Sequence, residues 1–171
     1  MHANVEFKTR LADTAPVAAA LRRTGATEAG VLVQRDTYFG VPEGRLKLRE
    51  MPDRAELIAY TRDERGPAME SRYTLTPVGD PDAERARLAA AHGVRGVVEK
   101  SRALWLHGTA RIHLDHVAGL GSFLEIEVVD PRTREEGEAL LRELLAGLSL
   151  DSTTALQASY IDLLDAVPPP L

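Results

Sequence analysis

The stretch ARIHLDHVAGLGSFLEIEVVD, residues 110–130, contains two alternating segments joined by a glycine-rich turn. In the first segment Ile112 and Leu114 alternate with Arg111, His113 and Asp115, and the second alternates two glutamates with aliphatic residues in the same way. Alternation of polar and apolar residues predicts β-strands, and a short turn containing glycine between two of them predicts an antiparallel hairpin. This stretch therefore sets the expected fold class.

Six further segments of the chain alternate in the same way. They are NVEFKTR from residue 4, EAGVLVQRDTYFG from 28, GRLKLRE from 44, AELIAYTR from 55, MESRYTLTPV from 69 and VRGVVEKSRALWLHG from 94. The GVPEG turn at 40–44 joins the second segment to the third and indicates another hairpin. The sequence thus predicts about eight strands that pair mainly antiparallel.

Helical periodicity occurs in four places, over residues 13–23, 80–93, 133–148 and 152–164. Asp13 is predicted to cap the first helix, while Asp80, Pro81 and Gly93 mark the start and end of the second. Leucines between residues 140 and 148 form an amphipathic stripe in the third. We predict an α+β fold, one domain over 1–165 and a flexible proline-rich tail over 166–171.

Composition excludes several classes of protein. The chain has 171 residues, a formal net charge of -5 and no cysteine. A net negative charge argues against a general nucleic-acid binder, and the lack of cysteine excludes disulfides and thiolate metal sites. No apolar run approaches the roughly 20 residues that a membrane-spanning helix needs, and the first ten residues are charged. We therefore expect a cytoplasmic protein that does not bind membranes.

Polar residues, most of them charged, gather on one face of the predicted strands. These residues are Asn4, Glu6, Lys8, Arg45, Lys47, Arg49, Glu56, Arg62, Lys100, Arg102, Arg111, His113, Asp115, Glu125 and Glu127. An antiparallel sheet with one solvated face gives the same alternation, so that reading stays open. However, four amphipathic helices need apolar sheet surface to cover. If they cover the outside of a curved sheet, the polar faces point into a solvated tunnel, where cations would bind phosphoryl oxygens and carboxylates would hold Mg²⁺ or Mn²⁺.

The same segments resemble a known family. VEFKTR, RDTYFGVPEGRLKLRE, VVEKSRALW and RIHLDHVAGLGSFLEIEVV are similar to the CYTH proteins, which include class IV adenylyl cyclases and thiamine triphosphatases. The hairpin with Asp115, Glu125 and Glu127 is most similar to the cyclase-like branch. The resemblance implies an eight-stranded antiparallel β-barrel with a polar interior, a triphosphate tunnel, and helices packed outside.

The resemblance also implies roles for individual residues. It assigns catalysis to Lys8 and Glu6, and metal binding to Glu6, Asp115, Glu125 and Glu127. The implied phosphate contacts are Arg45, Lys47, Arg49, Arg62, Lys100, Arg102 and Arg111, and Asn4, Glu56 and His113 complete the candidate set. Asn4 departs from the family pattern, which has an acid at this position of its Glu-x-Glu-x-Lys signature. Glu50 follows Arg49 directly in an alternating strand, so its side chain is predicted to point away from the tunnel.

The resemblance leaves the reaction open. We favour hydrolysis of a small organic or inorganic triphosphate with Mg²⁺ or Mn²⁺, because the sequence contains no clear candidate residues for binding adenine. The alternatives are a class IV adenylyl cyclase that makes cyclic AMP and pyrophosphate from ATP, a non-catalytic polyphosphate or nucleotide binder, and an interaction scaffold. The expected partner is a small-molecule triphosphate or nucleotide. Part of the leucine stripe is also a candidate face for a homodimer.

Overall fold

A computed structural model describes residues 2–63 and 68–168. Eight antiparallel strands close into a barrel in the order β1-β5-β4-β3-β2-β6-β7-β8. The strands are β1 (His2–Leu11), β2 (Thr27–Phe39), β3 (Arg45–Glu50), β4 (Ala55–Asp63), β5 (Met69–Val78), β6 (Val94–His107), β7 (Ala110–Val117) and β8 (Gly121–Val129). All eight predicted strands and both predicted hairpins are confirmed.

Four helices accompany the barrel. They are α1 (Ala15–Arg23), α2 (Pro81–His92), α3 (Arg134–Gly147) and α4 (Tyr160–Asp165). The predicted boundaries of α2 are confirmed: the Asp80 side chain accepts a hydrogen bond from the Ala83 amide at 3.0 Å, and Gly93 ends the helix with a φ of 72°. The predicted cap of α1 is wrong by one residue, because Thr14 takes that position and Asp13 instead accepts from the Ala15 amide.

The barrel is apolar outside and polar inside. On β1, Val5 and Phe7 point outward into an apolar cluster, while Glu6 and Lys8 line the interior. A fully buried aliphatic or aromatic side chain contributes about 1.5–3 kcal/mol relative to exposure. Helices α1 and α3 supply the other half of this cluster, including Leu21, Leu141, Leu144 and Leu145. The predicted α+β barrel with a polar interior and external helices is therefore confirmed.

Helix α3 packs very close to the barrel. A Cβ added at Gly137 would lie 2.7 Å from Cγ2 of Val5, so only glycine fits between α3 and β1. The leucine stripe faces the barrel, with Leu141, Leu144, Leu145 and Leu148 buried. These four leucines belong to the core within one chain. A homodimer stays a prediction.

The chain after α3 differs from the prediction. The prediction of a single helix over 152–164 is wrong. A short 3-10 turn at Ser152–Thr154 is followed by an extended segment and then by α4. The extended segment runs along β1, where the Leu156 amide donates to the Lys8 carbonyl at 2.8 Å. Ser159 then starts α4 with a reciprocal capping box to Asp162. These contacts fix the extended conformation that local helical periodicity did not reveal.

Helix α4 closes one end of the barrel. Tyr160 and Ile161 are buried in a cluster with barrel residues that include Val98, Val117 and Phe123. The ring centroids of Tyr160 and Phe123 lie 5.0 Å apart. The predicted tail, 166–171, extends past the described residues, so its boundary stays a prediction. No helix in the described ranges is long and apolar enough to span a bilayer.

Candidate functional site: a charged tunnel

A cavity of about 310 Å³ runs inside the barrel. Its described lining includes seven cationic and four acidic side chains, although the whole chain carries a net charge of -5. The cations are Lys8, Lys47, Arg49, Arg54, Lys100, Arg102 and Arg111, and the acids are Glu6, Glu56, Glu125 and Glu127. Asp36 and Asp115 are buried directly against these cations, so the excess of positive charge in the tunnel is small and is concentrated where several cations share one carboxylate.

One wall of the tunnel is cationic. On β2, β3 and β6, three cations surround the fully buried Asp36: Lys47 at 2.9 Å, Arg49 at 2.7 Å and Lys100 at 3.1 Å. Burial opposes ionisation of Asp36, but Arg49, Lys100 and Lys47 outweigh it and hold the pKa of this carboxyl well below its usual range. We call Asp36, Lys47, Arg49 and Lys100 the cationic wall. It carries excess positive charge because one carboxylate serves three cations.

Lys100 is the titratable member of the cationic wall. Burial lowers its pKa to about 7, and repulsion from Arg49, Arg102 and Lys47 opposes the attraction of Asp36. Its Nζ atom also lies 5.7 Å from the centre of the Tyr160 ring. An anion in the tunnel would favour the protonated form of this lysine.

The opposite wall is acidic. On β7 and β8, His113, Glu125 and Glu127 bring one ligand atom each to within 4.8 Å of one another. Burial opposes the ionisation of Glu127, but His113 and Arg111 lower its pKa from the usual value. Glu6 faces the same side from β1, opposite Glu127 in the strand register, and accepts a short hydrogen bond from Ser71 Oγ. We call Glu6, His113, Glu125 and Glu127 the acidic wall.

Glu125 is paired with two cations that lie outside the cationic wall. It accepts from Lys8 at 2.9 Å and from Arg102 at 2.5 Å. Burial opposes its ionisation, but these two cations hold the pKa of Glu125 well below its usual range. Two further contacts hold the ammonium group of Lys8. Its Nζ atom donates to the Ala158 carbonyl at 3.3 Å and lies 4.3 Å from the centre of the Tyr160 ring.

Three predicted residues stand away from the cavity lining or outside the described side chains. Asp115 is fully buried behind Arg102, which contacts both carboxylate oxygens at 2.7 and 2.6 Å, and Tyr160 donates to the same group. Arg45 pairs with Asp162 of α4 at 2.6 Å. Arg62 belongs to β4, but its side chain lies outside the described part of the molecule. The geometry suits Asp115 to orienting Arg102 and suits Arg45 to holding α4.

The remaining predicted residues line the tunnel together. They are Asn4, Glu6, Lys8, Lys47, Arg49, Glu56, Lys100, Arg102, Arg111, His113, Glu125 and Glu127. Asn4 is buried, and its Oδ1 atom accepts no hydrogen bond from the described residues. Glu50 points outward to Arg85 of α2, as its parity predicted. The alternation of side chains along each strand thus predicted most of the residues that line the tunnel.

Sequence reasoning missed Asp36, Gln34 and Tyr160. Asp36 and Gln34 share the parity of Leu32 and Tyr38 on β2, so alternation could have placed them inside. Gln34 is buried with an unpaired Oε1 atom among the described residues. Tyr160 carries no such signal, because its position depends on how the chain folds back after α3.

The acidic wall has the chemistry of a metal site. Carboxylate oxygens are the ligands that Mg²⁺ and Mn²⁺ prefer. The Nδ1 atom of His113 is buried, has no hydrogen-bond partner among the described residues and lies 3.8 Å from a carboxylate oxygen of Glu125, so both atoms could serve one ligand set. The residues present therefore fit a divalent cation.

Comparison with known proteins identifies the fold family. The CYTH domain model matches residues 2–160. The chain belongs to the CYTH domain family. The resemblance drawn from the strand motifs is thereby confirmed over nearly the whole chain. No curated protein sequence matches this CYTH protein.

Solved structures share the tunnel fold. PH1012 protein from Pyrococcus horikoshii OT3 is 24% identical with a TM-score of 0.83, over 94% of this chain and 98% of its own. A candidate adenylate cyclase from Vibrio parahaemolyticus is 19% identical with a TM-score of 0.76, over 95% and 98%. A candidate adenylyl cyclase from Hippeastrum, described as having a dominant triphosphatase activity, is 14% identical with a TM-score of 0.65, over 95% of each chain. These likenesses establish the fold.

Proposed function

We propose that this CYTH protein is a divalent-metal-dependent triphosphatase that hydrolyses the triphosphate group of a small molecule. The observation that carries the proposal is the separation of charge in the tunnel, with three cations around Asp36 on one wall and a carboxylate-rich cluster on the other. A triphosphate with a bound metal ion needs both kinds of wall, because cations neutralise phosphoryl oxygens and carboxylates hold the ion.

Each wall has a defined task in this proposal. Lys47, Arg49 and Lys100 bind phosphoryl oxygens, and Arg102 and Arg111 reach the same space from β6 and β7. Glu6, Glu125, Glu127 and His113 would hold Mg²⁺ or Mn²⁺, with Asn4 as a neutral oxygen ligand beside them. The bound ion would supply charge neutralisation and polarise a phosphoryl oxygen. We leave Asp115 out of this ligand set, because it is fully buried behind Arg102 and lies outside the cavity lining.

We assign proton transfer to Glu6 of β1. Glu6 faces the tunnel next to Glu127, and its carboxylate would accept a proton from the attacking water. Lys8 is held by Glu125 and the Ala158 carbonyl, so its ammonium group is positioned to stabilise charge on the transferred phosphoryl group. Because the residues of the tunnel are fixed by ion pairs before substrate binds, little reorganisation would be needed during the reaction.

Hydrolysis is preferred over cyclisation of ATP for a structural reason. Cyclisation requires a site that reads adenine and places the ribose 3′-hydroxyl against the α-phosphoryl group. Toward the open end the described lining contains Leu32, Met51, Leu75 and Leu104, and the hydrogen-bonding groups beside them are those of Gln34, Arg54 and Glu56. The aliphatic part of this surface offers no hydrogen bond to a base or a sugar. The proposed site is that of a cytoplasmic enzyme, consistent with the absence of cysteine.

The test is a panel of substrates with product analysis. Tripolyphosphate, ATP, GTP and thiamine triphosphate are each incubated with Mg²⁺ or Mn²⁺, and the products are resolved by chromatography. We expect release of inorganic phosphate that stops when the metal is chelated. Cyclic AMP with pyrophosphate would instead identify a cyclase. Tight binding of tripolyphosphate in calorimetry without any product would identify a binding protein, and no binding would contradict the tunnel as a triphosphate site.

A further inference from the structure

Leucines from three strands lie toward the open end of the tunnel, beside the half-exposed cations Arg54 and Arg111. Leu32 of β2, Leu75 of β5 and Leu104 of β6 belong to the same cavity lining as the charged walls. Leu75 is 44% exposed, and Leu106, two residues beyond Leu104 on the same face of β6, is 42% exposed. Single exposed leucines are ordinary on a protein surface, but several facing one cavity from different strands mark a ligand surface.

Three rows of paired residues place these leucines at the end away from α4. The rows run across neighbouring strands, and each begins with a leucine and finishes against α4 or its cluster. They are Leu104–His113–Glu125–Lys8, Leu32–Arg102–Asp115–Phe123 and Leu75–Ile58–Lys47–Tyr38. Strands in a closed barrel tilt by about 35–45°, so each row climbs along the barrel axis. These three leucines therefore form a collar at one mouth, which we define as Leu32, Leu75 and Leu104.

The other mouth is closed. Lys8 and Phe123, at the far ends of two rows, both contact the ring of Tyr160. Tyr38, at the end of the third, lies in the same buried cluster as Tyr160 and Ile161. Helix α4 sits so tightly there that a Cβ added at Gly96 would lie 2.7 Å from Cδ1 of Ile161. A ligand thus has one way in, past the collar.

From this geometry we propose that the substrate is a triphosphate ester of a small apolar alcohol, whose hydrocarbon group binds the leucine collar. The proposal rests on the triphosphate site proposed above. A chain of phosphates held by the charged walls leaves its organic substituent at the open mouth, because α4 fills the opposite end. The cavity of about 310 Å³ is at the small end of ligand sites, which are typically ~300–1,000 Å³. A small aliphatic group matches both the size and the surface.

Calorimetric titration of three ligands with the intact protein tests the collar. The ligands are tripolyphosphate, its butyl monoester and ATP, each with Ca²⁺ in place of Mg²⁺ and with chromatography to check that no product forms during the titration. We expect butyl triphosphate to bind about tenfold more tightly than tripolyphosphate and than ATP, which is the effect of removing one or two methylene groups from water. Equal affinities for the three would overturn the collar while leaving the triphosphate site intact. No binding of any ligand would overturn both proposals.

A pair of adjacent substitutions supplies the control. Leu32→Asn places an amide in the collar, whereas Val33→Asn places it on the outer face of β2, where Val33 is 60% exposed. We expect Leu32→Asn to reduce the tenfold preference for butyl triphosphate to about twofold or less and Val33→Asn to keep it. Leu75→Asn serves as a second collar variant if the first fails to fold. A preference that survives both collar substitutions would place the butyl group elsewhere.

Discussion

On the β2–β3–β6 side of the tunnel three cations share one carboxylate, whereas on the β1–β7–β8 side three glutamates stand beside a histidine. The cationic wall is self-contained: Asp36 is fully buried and holds its cations without help from the other side. The acidic wall depends on cations outside both walls, because Glu125 is paired with Lys8, its strand neighbour on β1, and with Arg102 of β6. The first wall is therefore a fixed anion receptor, and the second has ligand atoms that a cation can recruit.

The difference shows why neither wall would suit the tunnel alone. Unpaired charges are costly to bury, so a wall of three cations needs an internal anion even before a ligand binds. One carboxylate for three cations satisfies folding and still leaves positive charge for phosphate. The acidic wall shares Glu125 with cations and keeps His113 Nδ1 without a hydrogen-bond partner among the described residues. The predictions below change one wall at a time.

The largest expected effect comes from removing the anion of the cationic wall. Asp36→Asn leaves Lys47, Arg49 and Lys100 without their shared carboxylate, and we expect the free energy of unfolding to fall by about 3–5 kcal/mol. Urea denaturation measures this loss, and tripolyphosphate should restore part of it by binding the folded state. Asp53→Asn is the matched control, since Asp53 is exposed. Equal stability of Asp36→Asn and wild type would contradict the cationic wall as described.

The next effect breaks the acidic wall. Glu127→Gln keeps the shape of the side chain but removes a negative ligand, and we expect a loss of about 100-fold in metal-dependent turnover. The metal concentration for half-maximal activity should rise at the same time. Glu99→Gln, on the outer face of β6, serves as the control. Unchanged metal dependence in Glu127→Gln would remove β8 from the proposed metal site.

A third substitution weakens the cationic wall without unpairing it. Arg49→Ala leaves Asp36 paired with Lys47 and Lys100, so we expect the fold to persist. Tripolyphosphate affinity should fall by about 10–100-fold, the effect of losing one charge-assisted hydrogen-bonding group. Arg35→Ala, whose side chain faces outward from β2, is the comparison. Equal losses in both variants would point to a general charge effect.

The fourth prediction uses the pKa of about 7 for Lys100. Asp36, Lys47, Arg49, Arg102 and the Tyr160 ring surround this lysine, and a bound triphosphate would raise its pKa. At pH 8 binding should take up close to one proton, and affinity should fall by up to about tenfold per pH unit above 7. Calorimetry in two buffers of different ionisation enthalpy measures the proton. Lys100→Met should abolish the uptake, and uptake that persists would assign it to another group.

The same lysine affects stability with a defined sign. Its pKa of about 7 in the fold is below the value near 10.4 of an unfolded lysine, so the unfolded chain binds more protons between these limits. The free energy of unfolding should therefore rise with pH from about 7 to 10 through this group. Below pH 7 its unfavourable contribution is present in full. Urea titrations of wild type and Lys100→Met across this range should diverge toward low pH.

The smallest expected effect restores the missing acid of β1. Asn4→Glu places a carboxylate where an amide oxygen has no hydrogen-bond partner among the described residues, next to Ser71 in the register with β5. We expect metal affinity or turnover to rise by about threefold to tenfold, because one negative ligand is added. Asn4→Gln separates charge from length. A response identical in the two variants would exclude charge as the cause.

Much of the tunnel could be predicted from strand parity. The side-chain period of a strand is two, so Lys47 and Arg49 must share a face that Leu48 does not, whichever strands are neighbours. Amphipathic helices with leucines such as Leu141 and Leu144 then require the opposite face of the sheet to be apolar. From these two facts the sequence by itself determined most of the residues that line the interior and that the barrel is apolar outside.

Only the tertiary structure decided which charges meet and which end is closed. Asp36 joins Lys47, Arg49 and Lys100 because β2 lies between β3 and β6, a strand order that no local pattern contains. Tyr160 reaches Asp115 across 45 positions of sequence because the segment after α3 hydrogen-bonds to β1. Periodicity depends on neighbours within a few residues, whereas strand order and chain reversal depend on the free energy of the whole packed barrel.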